Sequence, residues 1–426
     1  MEYAALARAV ADDAALRRRQ VLQPVGGKGD KVFPPTYPEE RRGAGPRHVY
    51  ERRRIGGAET WCVLIDSVQS QANRLEEALL AALRDKSIAL PYVTVDFTGK
   101  ELAGVSEITS LDAPHRVYDA ILRDSLLDGQ PFMKSPLGIR LAEAKPGDAT
   151  ALLEASPTAL LFGAWHSTGE GGGLGAKFPR CLVSEIIAVD TPVDAITDQR
   201  SGEVEPRTSG RRTGSRIDPL GVLGSIAIYQ SAADPKNWTP FVSEAARRPG
   251  GNKEPILFVR RKGDKAGKPS VINHGNVTPS VQPLGITCDH AEHVAVISFA
   301  GLRRLGFGGG ERDSAGRALL AALGLVALAE QDACGYALRS RCDLVCEGRA
   351  PLELVHADGA TDPVELDRTG ANRLYAEAYD AARRAGFALA REPVRLVPQD
   401  KLVEIVRRSQ RLALEGEGGE AQDEDA

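Results

Sequence analysis

An apolar strand followed directly by an amphipathic helix limits most strongly how this chain can fold. TWCVLIDS (60–67) is an apolar, β-branched run that is typical of a buried strand. In and just before the next segment, SQANRLEEALLAALRD, apolar side chains recur at helical spacing from Val68 to Leu83. Because such a strand and such a helix each need a partner layer, the pair predicts helices packed on a sheet.

Later segments repeat this alternation and predict an α+β fold. Predicted strands cover YVTVDF (92–97), TALLFGAWH (158–166) and ALRSRCDLVCEG (337–348). Predicted helices cover 1–20, 113–127, 177–189, about 311–333 and 372–387. The order of these elements favours a ferredoxin-like sheet with its helices on one face.

Changes in composition divide the chain into five segments. They are an N-terminal helix with an extended basic arm (1–59), the first part of the core (60–190), a basic insertion (191–285), the second part of the core with C-terminal helices (286–410) and a disordered acidic tail (411–426). The net charge of −4 is misleading, because the last twelve residues contain six acids and no base. Without them the remainder is net positive.

Composition argues against several classes of protein. Six cysteines in 426 residues do not predict a disulfide scaffold. The most apolar run, 318–329, is shorter than the roughly 20 residues that span a bilayer. We therefore expect a cytoplasmic protein without a membrane segment. CDHAEH (288–293) suggests zinc, but no second pair of ligands follows at ordinary spacing, so neither a metal nor a cofactor is expected.

The glycine-rich segment LFGAWHSTGEGGGLGAKFPR (161–180) raises the question of a nucleotide site. A Walker A motif requires Ser or Thr directly after its lysine, and Phe178 follows Lys177. The dinucleotide pattern also fails, because Leu174 occupies its last glycine position. A turn between a strand and a helix is one alternative. The other is a loop that contacts a polynucleotide backbone, with Lys177 and Arg180 at the start of the predicted helix 177–189.

Two further groups suggest contacts with phosphates and sugars. In DSVQSQANRLE (66–76), Gln69, Ser70 and Asn73 point away from the apolar stripe of the predicted helix, although helix capping explains one such residue. Three basic stretches, YERRRIGG, RTSGRRTGSR and RRKGDKAGK, are rich in Arg or Lys and interrupted by glycine. Arginine suits phosphate oxygens, whereas a charge run is often only a solvated face.

DSVQSQANRLE, LLFGAWHSTGEGGGLGAKFPR and SFAGLRRLGFGG with RALLAALGLVALAEQ together resemble the backbone subunit of type I-G (formerly I-U) CRISPR surveillance complexes. This family belongs to the RAMP superfamily and is of the Csb kind. The resemblance covers about residues 45–390. It implies a modified RRM-like core with finger and thumb insertions, in copies that stack into a helical filament along one guide RNA. The guide is held by phosphates and sugars so that its bases pair with target DNA.

The resemblance also implies partners and RNA-binding residues. The partners are the guide RNA, target DNA, further copies of the chain, a guide-end capping or processing subunit and a large subunit. The implied residues are Gln69, Ser70, Gln71 and Asn73 on one wall of the groove, His166, Ser167, Thr168, Lys177 and Arg180 on the other, Arg207, Arg211, Arg212 and Arg216 in the thumb, and Arg52, Arg53 and Arg54 in the finger. The sequence lacks the aromatic RNP motif of ordinary RRM domains, so stacked aromatics are not expected to dominate.

Three functions remain open at this point. The first is a non-catalytic, RNA-binding structural subunit. The second is a guide-processing endoribonuclease that uses His166 as acid or base, although no nearby acid clearly orients that ring. The third is a nucleotide-binding enzyme that uses the glycine-rich segment.

Overall fold

The computed structural model describes residues 1–38, 47–166, 177–197, 204–207, 217–250, 253–260, 265–276 and 284–415. Two compact units are present. One contains Met1–Pro192 and Ile286–Ala426, and the other contains Val193–Gly285.

The described residues form twenty strands and ten α-helices. The strands are β1 Ala15–Pro24, β2 Tyr50–Ile55, β3 Ala58–Asp66, β4 Val93–Asp96, β5 Glu107–Thr109, β6 Ser125–Leu127, β7 Gln130–Pro131, β8 Ala164–Trp165, β9 Lys177–Phe178, β10 Leu182–Val189, β11 Asp194–Thr197, β12 Val204–Arg207, β13 Tyr229–Gln230, β14 Trp238–Thr239, β15 His290–Ser298, β16 Tyr336–Arg339, β17 Cys342–Cys346, β18 Leu352–Val355, β19 Thr361–Val364 and β20 Val394–Pro398. The α-helices are α1 Tyr3–Asp12, α2 Val68–Arg84, α3 Ala120–Arg123, α4 Pro136–Glu143, α5 Thr150–Ala155, α6 Pro157–Leu161, α7 Phe299–Arg303, α8 Gly310–Cys334, α9 Arg368–Arg384 and α10 Asp400–Glu415.

The main sheet of the larger unit contains a ferredoxin-like core. Its strand order is β16-β17-β1-β15-β10-β3-β2, and β18 and β19 join alongside β1. Six elements of this core occur along the chain in the order β-α-β-β-α-β, with β2 and β3 inserted after the first: β1, α2, β10, β15, α8 and β17. In the sheet the four strands lie in the order β17-β1-β15-β10, and each is antiparallel to its neighbours. This is the ferredoxin-like arrangement shared by RRM-type domains, which confirms the predicted α+β fold class. β3 and β2 extend the sheet beyond β10.

The helices cover one face of this sheet. α8 packs against α1, α2, α7 and α9 and contributes most of its residues to the core. At Gly324 an added Cβ would lie 2.9 Å from Ile297 Cδ1 and 3.2 Å from Leu182 Cδ1, so α8 lies directly on β15 and β10. The apolar run 318–329 is therefore a core helix. Of the helices that the structure describes, none is long and apolar enough to cross a membrane.

A second sheet completes the larger unit, in the order β5-β4-β20-β6-β7. β20 pairs in parallel with β4, which brings residues near the C-terminus beside the segment that follows α2. The smaller unit, Val193–Gly285, has its own apolar cluster of Ile228, Phe258 and Val271, together with the hairpins β11–β12 and β13–β14.

Several predicted elements are confirmed. The strands at 60–67 and 92–97 and the helices at 70–85, 311–333 and 372–387 correspond to β3, β4, α2, α8 and α9. The strand predicted within 337–348 is a hairpin of β16 and β17.

Other predictions are wrong. Residues 177–189 form β9 and β10 rather than a helix. In the strand predicted over 158–166, residues 158–161 belong to the helix α6 and only Ala164–Trp165 is a strand. The helix predicted over 113–127 is a 3-10 turn, the four-residue α3 and the strand β6. α10 continues to Glu415, so the first five residues of the predicted disordered tail are helical.

The N-terminal segment contains the largest error. The helix predicted over 1–20 ends at Asp12, and β1 follows as an inner strand of the main sheet. Arg18 and Gln20, on the helix side of β1, are buried because internal partners satisfy them. Arg18 forms an ion pair with Asp332 of α8, and Gln20 donates to the carbonyl of Gly348 at 2.9 Å.

Candidate nucleic-acid interface

A pair of short strands brings two of the predicted phosphate-binding side chains, Lys177 and Arg180, to one place. β8 and β9 pair antiparallel, with Trp165 opposite Lys177. Gly163 precedes this hairpin at φ +87°, and an added Cβ would lie 3.0 Å from both Arg180 Cγ and the Phe178 carbonyl oxygen. Glycine is therefore required for the close approach of these two chain segments.

The hairpin forms one side of an open cleft, here called the Trp165 cleft. Its lining includes His115, Arg116, Phe162, Trp165, Lys177 and Arg180. The Lys177 ammonium lies 4.5 Å from the centre of the Trp165 ring. Among the described residues, neither Lys177 nor Arg180 forms a salt bridge. The two predicted cations are thus brought together and are available to an anion.

The base of the cleft is a buried ion pair that sequence reasoning missed. Arg116 donates to both carboxylate oxygens of Glu76, at 2.8 and 2.6 Å, and to the Gly163 carbonyl at 3.0 Å. Its backbone lies in the left-handed region at φ +54°, which is uncommon for a residue other than glycine. Burial raises the pKa of Glu76 to about 7, and Arg116 opposes that increase. No sequence motif linked these residues, which are 40 positions apart.

The cleft has an excess of positive charge. Arg116, Lys177 and Arg180 supply three cations, and Glu76 is the acid beneath them. Partial burial and, next, the charge of Arg116 lower the pKa of Arg180, with Glu76 opposing that change. Because the positive charges of Arg116, Lys177 and Arg180 repel one another, an anion bound among them would lower the electrostatic energy of the cleft. Phosphate or carboxylate is therefore the favoured class of ligand.

His166 lies next to the cleft, but its ring is enclosed. It is 8% exposed and stacks on Tyr118, with ring centres 4.7 Å apart. Burial lowers the pKa of His166, so the neutral ring predominates at neutral pH. Within the part of the chain that the structure describes, no carboxylate orients this imidazole.

Two of the predicted amides lie on the exposed side of α2. Gln69 and Asn73 are exposed, and neither side chain is hydrogen-bonded to a described residue. Asn73 precedes Glu76 by three residues, so it lies about 4.5 Å from it along the helix axis, on a neighbouring part of the surface. Neither predicted amide lines the Trp165 cleft.

Gln71 and Ser70 are placed differently from that prediction. Gln71 is fully buried and donates to Asp66 at 2.7 Å, while its oxygen accepts from Ser184 and Gln331 at 3.1 Å each. The Ser70 hydroxyl donates to Asp66 at 2.9 Å, and Ser67 caps α2. This placement argues against direct contact between Gln71 and RNA. Gln71 instead connects α2 with β10 and α8.

The same buried network contains a serine and a histidine in contact. Ser184 Oγ lies 2.6 Å from His293 Nε2, and His293 Nδ1 lies 3.2 Å from the Tyr336 hydroxyl, which donates to Asp332. Burial lowers the pKa of His293 well below its usual value, and Arg18 lowers it further. Both Ser184 and His293 are buried, so a substrate cannot reach them. The network orients core elements rather than forming a nucleophilic site.

The predicted finger arginines lie on β2, an edge strand. Arg53 pairs with Glu185 at 2.7 Å, and Arg52 pairs with Glu59 at 3.1 Å while lying over Trp61. Arg54 is exposed, and it has no ion pair among the described residues. They line no part of the Trp165 cleft.

The sheet face opposite α2 and α8, here called the open face, has a different charge pattern. Arg17 of β1 pairs with Glu353 at 2.7 Å, and Arg19 pairs with Glu292 at 2.9 Å. The β1, β10 and β15 positions on this face carry no Phe, Tyr or Trp. They are Ala15, Arg17, Arg19, Val21, Gln23, Val183, Glu185, Ile187, Val189, His290, Glu292, Val294, Val296 and Ser298. In an ordinary RRM the corresponding face stacks bases on aromatics.

Several predicted site residues lie outside the described residues. They are Ser167, Thr168, Arg211, Arg212 and Arg216. The backbone of Arg207 ends β12, and its side chain is also outside the description. Of the zinc candidates, His293 has both ring nitrogens engaged in the buried network. In the described ranges, no three His, Cys, Asp or Glu side chains converge as metal ligands would.

A comparison with known proteins finds one family model that matches part of the chain. The model of a family described as CRISPR-associated protein GSU0053 matches residues 16–193. This segment is less than half of the chain, and it runs from β1 to the end of the first part of the larger unit, so it includes the Trp165 cleft.

Other comparisons add little. The crystal structure of Csc2 from Thermofilum pendens aligns with 96% of this chain and 80% of that chain, at 11% identity and a TM-score of 0.26. Similarity at that level supports no argument. No curated protein matches the sequence.

Proposed function

We propose that this chain is a non-catalytic, RNA-binding subunit of a CRISPR effector complex, of the type I-G backbone kind. Copies of it stack along one guide RNA and hold the guide by its phosphates and sugars, which leaves the bases free to pair with target DNA. Its other partners are the remaining subunits of the complex, including a large subunit and one that caps or processes the guide end. The protein acts in the cytoplasm.

The Trp165 cleft carries this proposal. It presents Lys177 and Arg180 without acidic partners among the described residues, within the segment that matches a CRISPR-associated family. Cations without an ion pair among the described residues suit phosphate oxygens. The ferredoxin-like core is common to many functions, so the proposal depends on the site rather than on the fold.

The geometry gives the two enzymatic alternatives less support. A general acid or base needs access to its substrate and a tuned pKa, whereas His166 is enclosed and its pKa is lowered by burial. Lys177 lies on a strand and contacts Trp165, whereas a P-loop lysine begins a helix. Lys177 and Arg180 do not lie at the start of a helix as predicted, because 177–189 contains two strands, so their support for phosphate binding comes from their side chains alone.

The test is to purify the protein under native conditions, measure its ratio of absorbance at 260 and 280 nm, and sequence any bound nucleic acid. The proposal predicts bound CRISPR guide RNA, helical oligomers in electron micrographs and affinity that falls steeply with salt. RNA cleavage that His166→Ala abolishes would instead establish the endoribonuclease. ATP and magnesium binding that Lys177→Ala abolishes would establish the nucleotide enzyme.

A further inference from the structure

Trp165 has a feature that phosphate binding alone does not require. Its side chain is half exposed, although only 5% of the residues in this chain are aromatic. It lies on β8 and lines the cleft, with the Lys177 ammonium over its ring. A large exposed aromatic side chain in a cationic cleft is suited to a planar, anionic ligand.

We propose that one base of single-stranded RNA stacks on Trp165, while Lys177 and Arg180 bind the phosphates on either side of it. This inference rests on the proposed function, since it names a contact within the same site. It also separates this chain from a purely backbone-reading surface, because a stacked base adds a contact that a bare sugar-phosphate chain cannot make.

Lys177 occupies one face of the indole in the free protein, and exchange with a base is favourable. A cation–π contact at an exposed site changes an equilibrium by about two- to fivefold. Stacking of a base on an aromatic side chain changes it by about five- to 150-fold. The base is therefore the stronger partner. Once displaced, the flexible lysine keeps its charge and reaches a phosphate oxygen from the same strand position.

Buried neighbours support the backbone on either side of Trp165. Phe178, the neighbour of Lys177 in β9, is buried in the core, and Gly163 allows its chain segment to approach Arg180 closely. Arg116 is held by its bidentate contact with Glu76. The strands that carry Trp165 and Lys177 are thus anchored beside the cleft.

The experiment uses intrinsic fluorescence. The chain has three tryptophans, Trp61, Trp165 and Trp238, so a Trp61→Phe/Trp238→Phe variant reports on Trp165 alone. RNA-free protein is titrated with a single-stranded RNA and with an abasic oligomer of equal length and charge. Trp165→Ala and Trp165→Phe are then compared for RNA affinity. Melting temperatures establish that each variant is folded, as expected for a half-exposed position.

We expect RNA, but not the abasic oligomer, to quench the Trp165 emission. Trp165→Ala should weaken RNA binding about five- to 150-fold, Trp165→Phe should retain most of it, and neither should change binding of the abasic oligomer. RNA binding without quenching and unaffected by Trp165→Ala would overturn the stacking inference and leave the proposed function intact. If the wild-type protein binds neither oligomer, the proposed function fails, and the stacking inference with it.

Discussion

The Trp165 cleft and the open face of the main sheet both carry arginines, but these differ in whether a carboxylate neutralises them. On the open face, Arg17, Arg19 and Arg53 each pair with a glutamate, so the surface is close to neutral. In the cleft, Lys177 and Arg180 have no acidic partner among the described residues, and the single acid below is committed to Arg116. A count of basic residues in the sequence does not distinguish these two situations.

If the chain binds RNA as proposed, this difference favours one of the two surfaces. A cation that binds a phosphate of the nucleic acid releases a counterion from it, which favours binding. An arginine that is already paired with a carboxylate must first lose that partner. The open face is the surface that an ordinary RRM uses, yet here it has paired charges and no Phe, Tyr or Trp at the positions described above. Under the proposed function, the cleft is therefore favoured over the open face as the RNA-binding surface.

The largest expected effect contrasts the buried ion pair below the cleft with an ion pair on the open face. Glu76→Ala leaves Arg116 buried and unpaired, and it should cost about 3–5 kcal/mol of unfolding free energy. Glu353→Ala, the matched control, breaks the partly exposed Arg17 pair and should cost about 0–1 kcal/mol. Urea denaturation measures both. Equal losses would mean that the cleft is not supported as described.

Removal of the free cations should have the next largest effect. Lys177→Ala with Arg180→Ala should weaken RNA binding by about 1–3 kcal/mol and reduce the slope of log affinity against log salt by about 0.7 for each lost phosphate contact. Arg17→Ala with Arg19→Ala serves as the control. It removes the same formal charge from the open face, where little change is expected. Filter binding at several salt concentrations measures both pairs, and the reverse ranking would contradict the comparison.

Lowering the pH should reduce the unfolding free energy, because the buried His293 on the helix-facing side of the sheet resists protonation in the folded state. Burial holds the folded-state pKa of His293 below its unfolded value, so the unfolded chain takes up a proton near pH 6.5 while the folded chain does not. The contribution of His293 to the unfolding free energy is therefore fully present above pH 6.5. Below that pH it falls by about 1.4 kcal/mol per pH unit. Denaturation of wild type and His293→Gln from pH 7.5 to 5.0 tests this, because the variant should lose part of the pH dependence. Identical slopes would exclude His293 as its source.

The smallest expected effect tests whether pairing is what keeps the open face inactive. Glu292→Gln leaves Arg19 without its carboxylate partner and should increase RNA affinity at low salt by about 0.5 kcal/mol, which is about twofold. Gln410→Glu on α10, which is outside the Trp165 cleft and the open-face strands, changes the net charge by one unit of the opposite sign. It serves as a control for the effect of net charge alone. No increase for Glu292→Gln would show that the shape of the open face, rather than its charge pairing, excludes RNA.

The fold class could be predicted because its strongest elements have local signals. α2 has a continuous apolar stripe, and α8 is a long run of helix-forming alanines and leucines. The two strands on either side of α8 in the sequence alternate or carry β-branched residues.

The errors arise where tertiary contacts hide the local pattern. In β10 both faces of the strand are buried from Ile186 to Val189, so the two-residue alternation disappears there and the apolar spacing imitates a helix. In β1 the alternation is concealed because Arg18 and Gln20 are buried and polar. α6 is buried on all sides, and an uninterrupted apolar run does not distinguish a short helix from a strand.

The candidate site was only partly predictable for the same reason. Lys177 and Arg180 stand beside a conspicuous glycine-rich segment, and Gln69 and Asn73 follow a strand. Glu76, Arg116 and Trp165 lie on three separate elements, and only the folded chain brings them together. Gln71 looked equivalent to its neighbours, but its helix position directs it into the core.

Cross-linking of bound RNA to the native protein, followed by mass spectrometry of the attached peptides, tests the central claim most directly. The account predicts attachment within residues 161–180, including Trp165 and Lys177, and little attachment to β1 or β15. Cross-links concentrated on β1 and β15, with the cleft peptides unmodified, would contradict it.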